Sequence, residues 1–260
     1  MKTEINGVKL FYKMIGMGIP LIFLHGGFGM DYSYFLPYVK PLSKKFRLVF
    51  FDFRGNGRSD DAPPETYSYD QFVEDTRKLI KRLKFEKLSL LGHSAGGFIA
   101  LKFALKYPEL LKTLILVDTF PGGLKFKKGW QSPRFYSNYD FKKVSIKDML
   151  DAFRPRNHSL AKKVLKRVIY RKDVYERLAR YERPKFDVRE ELYKIKLPTL
   201  VIVGECDAFG KDHPDRFLKG ARIITQRILN SQLKVIKDSG HFPFVEKPVE
   251  FNKIIENFLE

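Results

Sequence analysis

The segment Leu88-Ser89-Leu90-Leu91-Gly92-His93-Ser94-Ala95-Gly96-Gly97-Phe98-Ile99-Ala100-Leu101 runs from a short apolar stretch, through a serine set among glycines, into a second apolar stretch. The first stretch has the length and composition of a strand covered on both faces. The second, continuing through Phe103 and Ala104, is apolar almost all round. It carries Lys102 and Lys106 four residues apart on one face and should stop before Pro108, so it reads as a helix buried against a sheet. Between them, Gly92-His93-Ser94-Ala95-Gly96 has the pattern Gly-x-Ser-x-Gly. A serine on a sharp strand-to-helix turn needs nearly side-chain-free neighbours, and the turn projects its hydroxyl above the sheet. Taken alone, the stretch also fits a passive serine in a glycine-rich turn.

Outward from this point the same logic repeats. Leu21–Leu24, Leu48–Phe51, Leu114–Val117 and Leu200–Val203 are further almost fully apolar runs, hence parallel strands. Thr3–Met14 reads as two alternating strands around Asn6-Gly7, a pair suited to a tight hairpin, and Leu233–Ile236 as a last edge strand. Ser68 and Gln71 form a capping-box pattern ahead of a helix with an apolar stripe at Phe72, Leu79, Ile80 and Leu83. The alternation predicts an α/β fold: a doubly wound, mostly parallel, eight-stranded sheet. The regularity breaks after residue 120. Residues 121–196 contain helical candidates in "SIKDMLDAF" and "SLAKKVLKRVIYRKDVYERLARY", and "KIKLPTLVIVG" marks re-entry. The expected organisation is a core in two parts, 1–120 and 197–260, with a helical insertion at 121–196.

A serine hydroxyl becomes a nucleophile when a histidine takes its proton and a carboxylate orients that histidine. Of His25, His93, His158, His213 and His241, only His241 lies just after the last strand and before a final helix, where a loop can reach the serine. His25 and His93 belong to their own turns, with packing or supporting roles, while His158 and His213 are expected to face solvent. Asp207 follows the Leu200–Val203 strand and gives the chain order Ser94, Asp207, His241; Asp118 is the runner-up acid and Glu205 the third. The glycine turn "LIFLHGGFG" offers Gly27 N–H, with Phe28 N–H as the substitute, and Ala95 N–H opens the following helix; together these suit an oxyanion. Phe28, His93, Trp130, Phe135 and Tyr136, with Phe126 and Phe141, are candidates for a substrate pocket; those of the insertion equally suit a small core of its own.

Composition excludes several classes. There is no apolar run of membrane-spanning length, and the N-terminus "MKTEINGVKL" lacks a secretory h-region, so a cytoplasmic protein is expected. The one cysteine, Cys206, cannot form an internal disulfide. Net charge is +19, and residues 121–190 hold 20 Lys/Arg against 8 Asp/Glu. Such a field favours anions, although no basic-aromatic module signals specific nucleic-acid binding. Arg54-Gly55-Asn56-Gly57-Arg58-Ser59-Asp60 lacks the Lys-Ser/Thr ending of a phosphate loop and reads as a structural turn.

In their order and positions, "HGGFG", "FDFRGNGRSD", "GHSAGG", "GECD" and "SGHFPFVEKP" together resemble the α/β-hydrolase superfamily, in its lidded, esterase- and lipase-like branch. The resemblance covers residues 3–120 and 195–260. It implies a triad of Ser94, Asp207 and His241, an oxyanion hole from Gly27 and Ala95, a cap made by the insertion, and no metal or cofactor. Serine at position 94 argues against branches that use an aspartate nucleophile. His-Gly-Gly-Phe-Gly stands where proline iminopeptidase relatives carry His-Gly-Gly-Pro-Gly, and the basic insertion is a poor host for a cationic amino terminus. The expected activity is cleavage of a carboxylic ester of a small molecule, anionic or with a hydrophobic acyl group. The alternatives are a lactone, the carbon-carbon bond of an anionic dienoate, an N-terminal proline peptide, or ligand perception without turnover.

Overall fold

Each of the five apolar runs becomes a strand in the computed structural model, which describes residues 1–122, 158–207 and 215–260. In chain order the strands are β1 (Lys2–Ile5), β2 (Val8–Ile15), β3 (Pro20–Leu24), β4 (Arg47–Phe51), β5 (Leu88–His93), β6 (Leu111–Val117), β7 (Thr199–Gly204) and β8 (Ser231–Ile236). The α-helices of the described residues are α1 (Tyr69–Arg82), α2 (Ala95–Lys106), α3 (His158–Leu165), α4 (Lys172–Arg177), α5 (Arg216–Arg227), α6 (Pro243–Glu246) and α7 (Pro248–Leu259). The eight strands form one sheet in the order β1-β2-β4-β3-β5-β6-β7-β8. Only the β1–β2 and β2–β4 pairs are antiparallel. Asn6 (φ 50°) and Gly7 (φ 76°) close the β1–β2 hairpin in the left-handed conformation that a two-residue turn requires.

Alternation along the central strands divides the core between two faces. Ile22, Leu24, Val49, Phe51 and Leu90 join the apolar cluster of α1, α2 and α5, whereas Leu21, Phe23, Leu48, Phe50 and Leu91 join that of α7. Strands β5 and β7 are buried at every position because both faces are covered. Helix α2 ends at Lys106 as expected, and its two lysines reach across to α1, Lys102 to Asp70 at 2.9 Å and Lys106 to Glu74 at 2.6 Å.

Two local expectations change. Ser68 caps α1 by accepting Gln71 N–H at 3.1 Å, but the Gln71 side chain does not complete the reciprocal half of the box. It donates instead to Asp75, a buried carboxylate that also takes both the Nε and Nη2 of Arg54 at 2.6 and 2.7 Å and the amide of Asn6 at 2.7 Å. A second buried carboxylate, Asp52, accepts Arg58 N–H at 2.9 Å, and these pairs make the Arg54–Asp60 stretch a structural turn. The long amphipathic segment after His158 is not one helix. It breaks between α3 and α4, where Arg171 N–H donates to Gly29 O at 2.7 Å and Ser33 Oγ to Arg167 O at 3.0 Å. Contacts to the core replace helical hydrogen bonds at the break.

The described part of the insertion lies between β6 and β7 and is largely helical. Its start pairs with a later stretch of its own: Val188 N–H donates to Pro121 O at 2.9 Å, beside an antiparallel bridge from Gly122 to Asp187. The "SIKDMLDAF" segment, Phe126, Trp130, Phe135, Tyr136, Phe141 and His213 lie outside the described residues. So does the side chain of His158.

Candidate active site

Ser94 sits where β5 gives way to α2, with φ 52° and ψ −119°, a conformation that costs a non-glycine residue about 1–3 kcal/mol. The surroundings hold it there. Ser94 N–H donates to Val117 O at 2.9 Å, and the Ser94 carbonyl accepts Thr119 Oγ1 at 2.8 Å and Gly97 N–H at 2.9 Å. The flanking glycines follow from space: a Cβ at Gly92 would stand 2.5 Å from Gly96 O, and one at Gly96 would stand 2.2 Å from Leu24 O. Strand and helix could not come this close with any side chain between them.

The parallel order sets the carboxyl ends of β5, β6, β7 and β8 side by side, and acid and base come from loops there. His241, fully buried, donates through Nδ1 to Asp207 Oδ2 at 2.8 Å, leaving Nε2 as the atom able to take a proton. Burial pushes this imidazole down to about 3, so it is neutral at neutral pH. Phe217 packs on its ring at a centroid distance of 4.8 Å. Of the other candidate acids, Glu205 points away and accepts Asp238 N–H at 3.2 Å, whereas Asp118 is buried against Asp207. Cys206 donates its backbone N–H to Ser239 O at 2.8 Å, a strand-end contact.

The glycine turn after β3 abuts the serine: a Cβ at Gly26 would stand 2.7 Å from Ser94 Cβ. Gly27 adopts φ +59°, and Ala95 is the first residue of α2, where N–H groups have no partner within the helix. His93 was a pocket candidate, but its ring is buried beneath the site and does not line the cleft. Side chains alternate along β5, so the residue before the serine faces the opposite side. There the Tyr34 hydroxyl accepts Gly26 N–H and donates to His93 Nδ1 at 3.0 Å, and His93 Nε2–H donates to His241 O at 2.8 Å. This relay ties together the glycine turn, the nucleophile strand and the histidine loop. Burial holds His93 well below 6.5 and Tyr34 well above 10, so neither end of the relay titrates near neutral pH. Tyr34 was missed in the sequence because nothing in "DYSYFLP" distinguishes it from ordinary core tyrosines. His25 is also buried, donating from Nδ1 to Gly26 O at 3.2 Å and accepting Phe53 N–H at Nε2.

Ser94 lines a small cleft, open to solvent, together with Gly27, Ala95, Arg183 and the rings of Phe28, Phe98, Phe120, Tyr175 and Phe217. Phe28 thus contributes a wall, with Tyr175 of α4 edge-on to it at 6.2 Å. Arg183 is the one charged residue of that lining among the described residues.

The family model for the alpha/beta hydrolase fold matches residues 19–248, and the chain belongs to that family. It is 29% identical to a proline iminopeptidase of Saccharolobus solfataricus, over 99% of this chain and 91% of that protein. It is 31% identical to the AB hydrolase superfamily protein YisY of Bacillus subtilis, over 99% and 97%. Among solved structures it resembles an esterase from Exiguobacterium antarcticum, with a TM-score of 0.85 and 25% identity over all of both chains. The chain is a hydrolase, and the iminopeptidase and esterase among the proteins it resembles support cleavage of an acyl-type bond. No helix among the described residues is long and apolar enough to cross a membrane.

Proposed function

We propose that the protein is a serine hydrolase that cleaves a carboxylic ester of a small molecule in two steps. The carrying observation is the buried His241–Asp207 pair, whose imidazole packs on Phe217, together with a serine held at positive φ in the aromatic cleft that Phe217 also lines. Ser94 Oγ attacks the carbonyl carbon while His241 Nε2 takes its proton. The N–H groups of Gly27 and Ala95 hold the oxyanion, and the alcohol departs with the proton from His241. Water then attacks the acyl-enzyme by the same path. Asp207 keeps the proton of neutral His241 on Nδ1 and stabilises the imidazolium. Residues 121–196 act as the cap.

Arg183 and the positive field of the insertion support a preference for acyl groups bearing a carboxylate. The iminopeptidase relative supports a second reading, release of an N-terminal proline, which requires a cationic amino group next to the scissile bond. Arg183 has the wrong sign for that substrate.

A panel of p-nitrophenyl esters of increasing acyl length, run beside prolyl-p-nitroanilide and combined with fluorophosphonate labelling, separates these readings. Ester turnover lost by at least about 10³-fold in a folded Ser94→Ala variant supports ester hydrolysis. Faster cleavage of the anilide than of any ester would establish the second reading. Labelling of Ser94 without turnover of either would refute both.

A further inference from the structure

The mechanism uses Asp207 and leaves Asp118 without a part, although both are buried at the same place. Asp118 ends β6 at φ 42° and extends the sheet by donating its N–H to Ile202 O at 2.9 Å. Its Oδ1 accepts Gly204 N–H at 2.9 Å, and Asp207 Oδ2 accepts the His241 proton. One oxygen of each carboxyl, Asp118 Oδ2 and Asp207 Oδ1, then remains buried with no donor among the described residues. The acid groups and the imidazole place ligand-type atoms within 4.8 Å of one another, so the two buried carboxyl groups face each other across a gap that holds no other donor among the described residues. Two ionised carboxylates cannot hydrogen-bond to each other, since neither has a hydrogen to give.

We propose that Asp118 is a positioning residue that keeps a proton at neutral pH and donates it from Oδ2 to Asp207 Oδ1, so that the pair carries a single negative charge. The proton satisfies both leftover oxygens at once and forms a short chain, Asp118 O–H to Asp207 to His241 N–H. Asp207 is thereby held from both sides, with its remaining charge facing the imidazole. The neighbours agree with this distribution. Burial and the negative charge of Asp207 push Asp118 well above the usual carboxylate range. Burial raises Asp207 too, but the hydrogen bond from Asp118 and the Arg216 guanidinium at the start of α5 act in the opposite direction. Glu246 of α6 disfavours further negative charge on either acid. From β5, His93 faces His241 and stays neutral. The proposal rests on the hydrolase reading only for its kinetic readout.

The test combines infrared spectroscopy with the acid limb of kcat/KM. Difference spectra between wild type and Asp118→Asn at neutral pH should show loss of one protonated carboxyl C=O band. Asparagine retains a donor for Asp207, an acceptor for Gly204 and tolerance of positive φ, so its acid limb should coincide with that of wild type. Asp118→Ala removes the donor, leaves Asp207 a stronger base, and should raise the acid limb by about one pH unit with a fall in kcat. An acid limb about one unit lower in Asp118→Asn, with no carboxyl band lost, would mean Asp118 is ionised and would overturn the proposal. Activity lost on dialysis against a chelator and restored by a divalent cation would also overturn it. The band does not depend on turnover, so a wrong substrate class would leave the spectroscopic result standing.

Discussion

Replacing Tyr34 by phenylalanine removes one oxygen and little else, and the relay makes its cost calculable. The hydroxyl accepts Gly26 N–H and donates to His93 Nδ1, and Tyr34, Gly26 and His93 are all buried. The variant strands a donor and an acceptor where water has no ready access; with about 1–3 kcal/mol for each stranded group, a loss of about 3 kcal/mol is expected. His93 is neutral, so no charge is left unpaired to enlarge the figure. Gly26 precedes the proposed oxyanion donor Gly27, so small displacements of the turn should lower kcat by about tenfold with KM nearly unchanged. The assays are urea unfolding and ester kinetics on Tyr34→Phe, His93→Leu and the double variant. If the relay is continuous, the two substitutions are coupled by about 1–2 kcal/mol. Additive effects, or a Tyr34→Phe loss below about 0.5 kcal/mol, would refute the relay.

Other perturbations have equally definite outcomes. Asp75→Ala leaves the buried Arg54 guanidinium without its bidentate partner and should cost about 3–5 kcal/mol in urea unfolding. Ser94→Gly should abolish turnover yet raise stability, measured the same way, by about 1 kcal/mol or more, because glycine adopts the strained turn freely. Burial lowers His25 from 6.5 to about 4, so the unfolded chain protonates first as pH falls. Its contribution is present above pH 6.5 and lost towards pH 4, and the stability advantage of wild type over His25→Gln should shrink by about 3 kcal/mol across that window. Arg183→Gln should raise KM for a carboxylate-bearing ester several-fold more than for its neutral analogue, and the difference should fade as salt rises.

The sheet was legible because its strands are covered on both faces and their apolar runs need no periodicity to stand out. The elbow was legible because glycine is demanded at Gly92 and Gly96 by contacts of 2.5 and 2.2 Å. Asp207 and His241 followed from their places at strand ends, since one edge of a parallel sheet gathers such loops together. Side-chain direction was harder to read. His93 looked like a pocket residue beside the serine and lies under it, and Gln71 looked like half of a capping box and instead supports Asp75. Both outcomes depend on partners distant in sequence, Tyr34 and Arg54. The division of the segment after His158 into α3 and α4 was hidden for the same reason, since the break is made by Gly29 and Ser33 of the core.

The pairing of Pro121 and Gly122 with Asp187 and Val188 has an evolutionary consequence. Just after β6, Pro121 and Gly122 pair with Asp187 and Val188 on the returning chain, a close approach made possible by Gly122, where a Cβ would stand 2.2 Å from Phe186 O. The number of residues between these two points can change while β6 and β7 keep their register. Lengthening such a loop twofold costs only about 0.6 kcal/mol in closure entropy. If residues 121–196 act as the proposed cap, substrate selectivity can therefore change with that segment's length and sequence while the strand ends that carry Ser94, Asp207 and His241 keep their register.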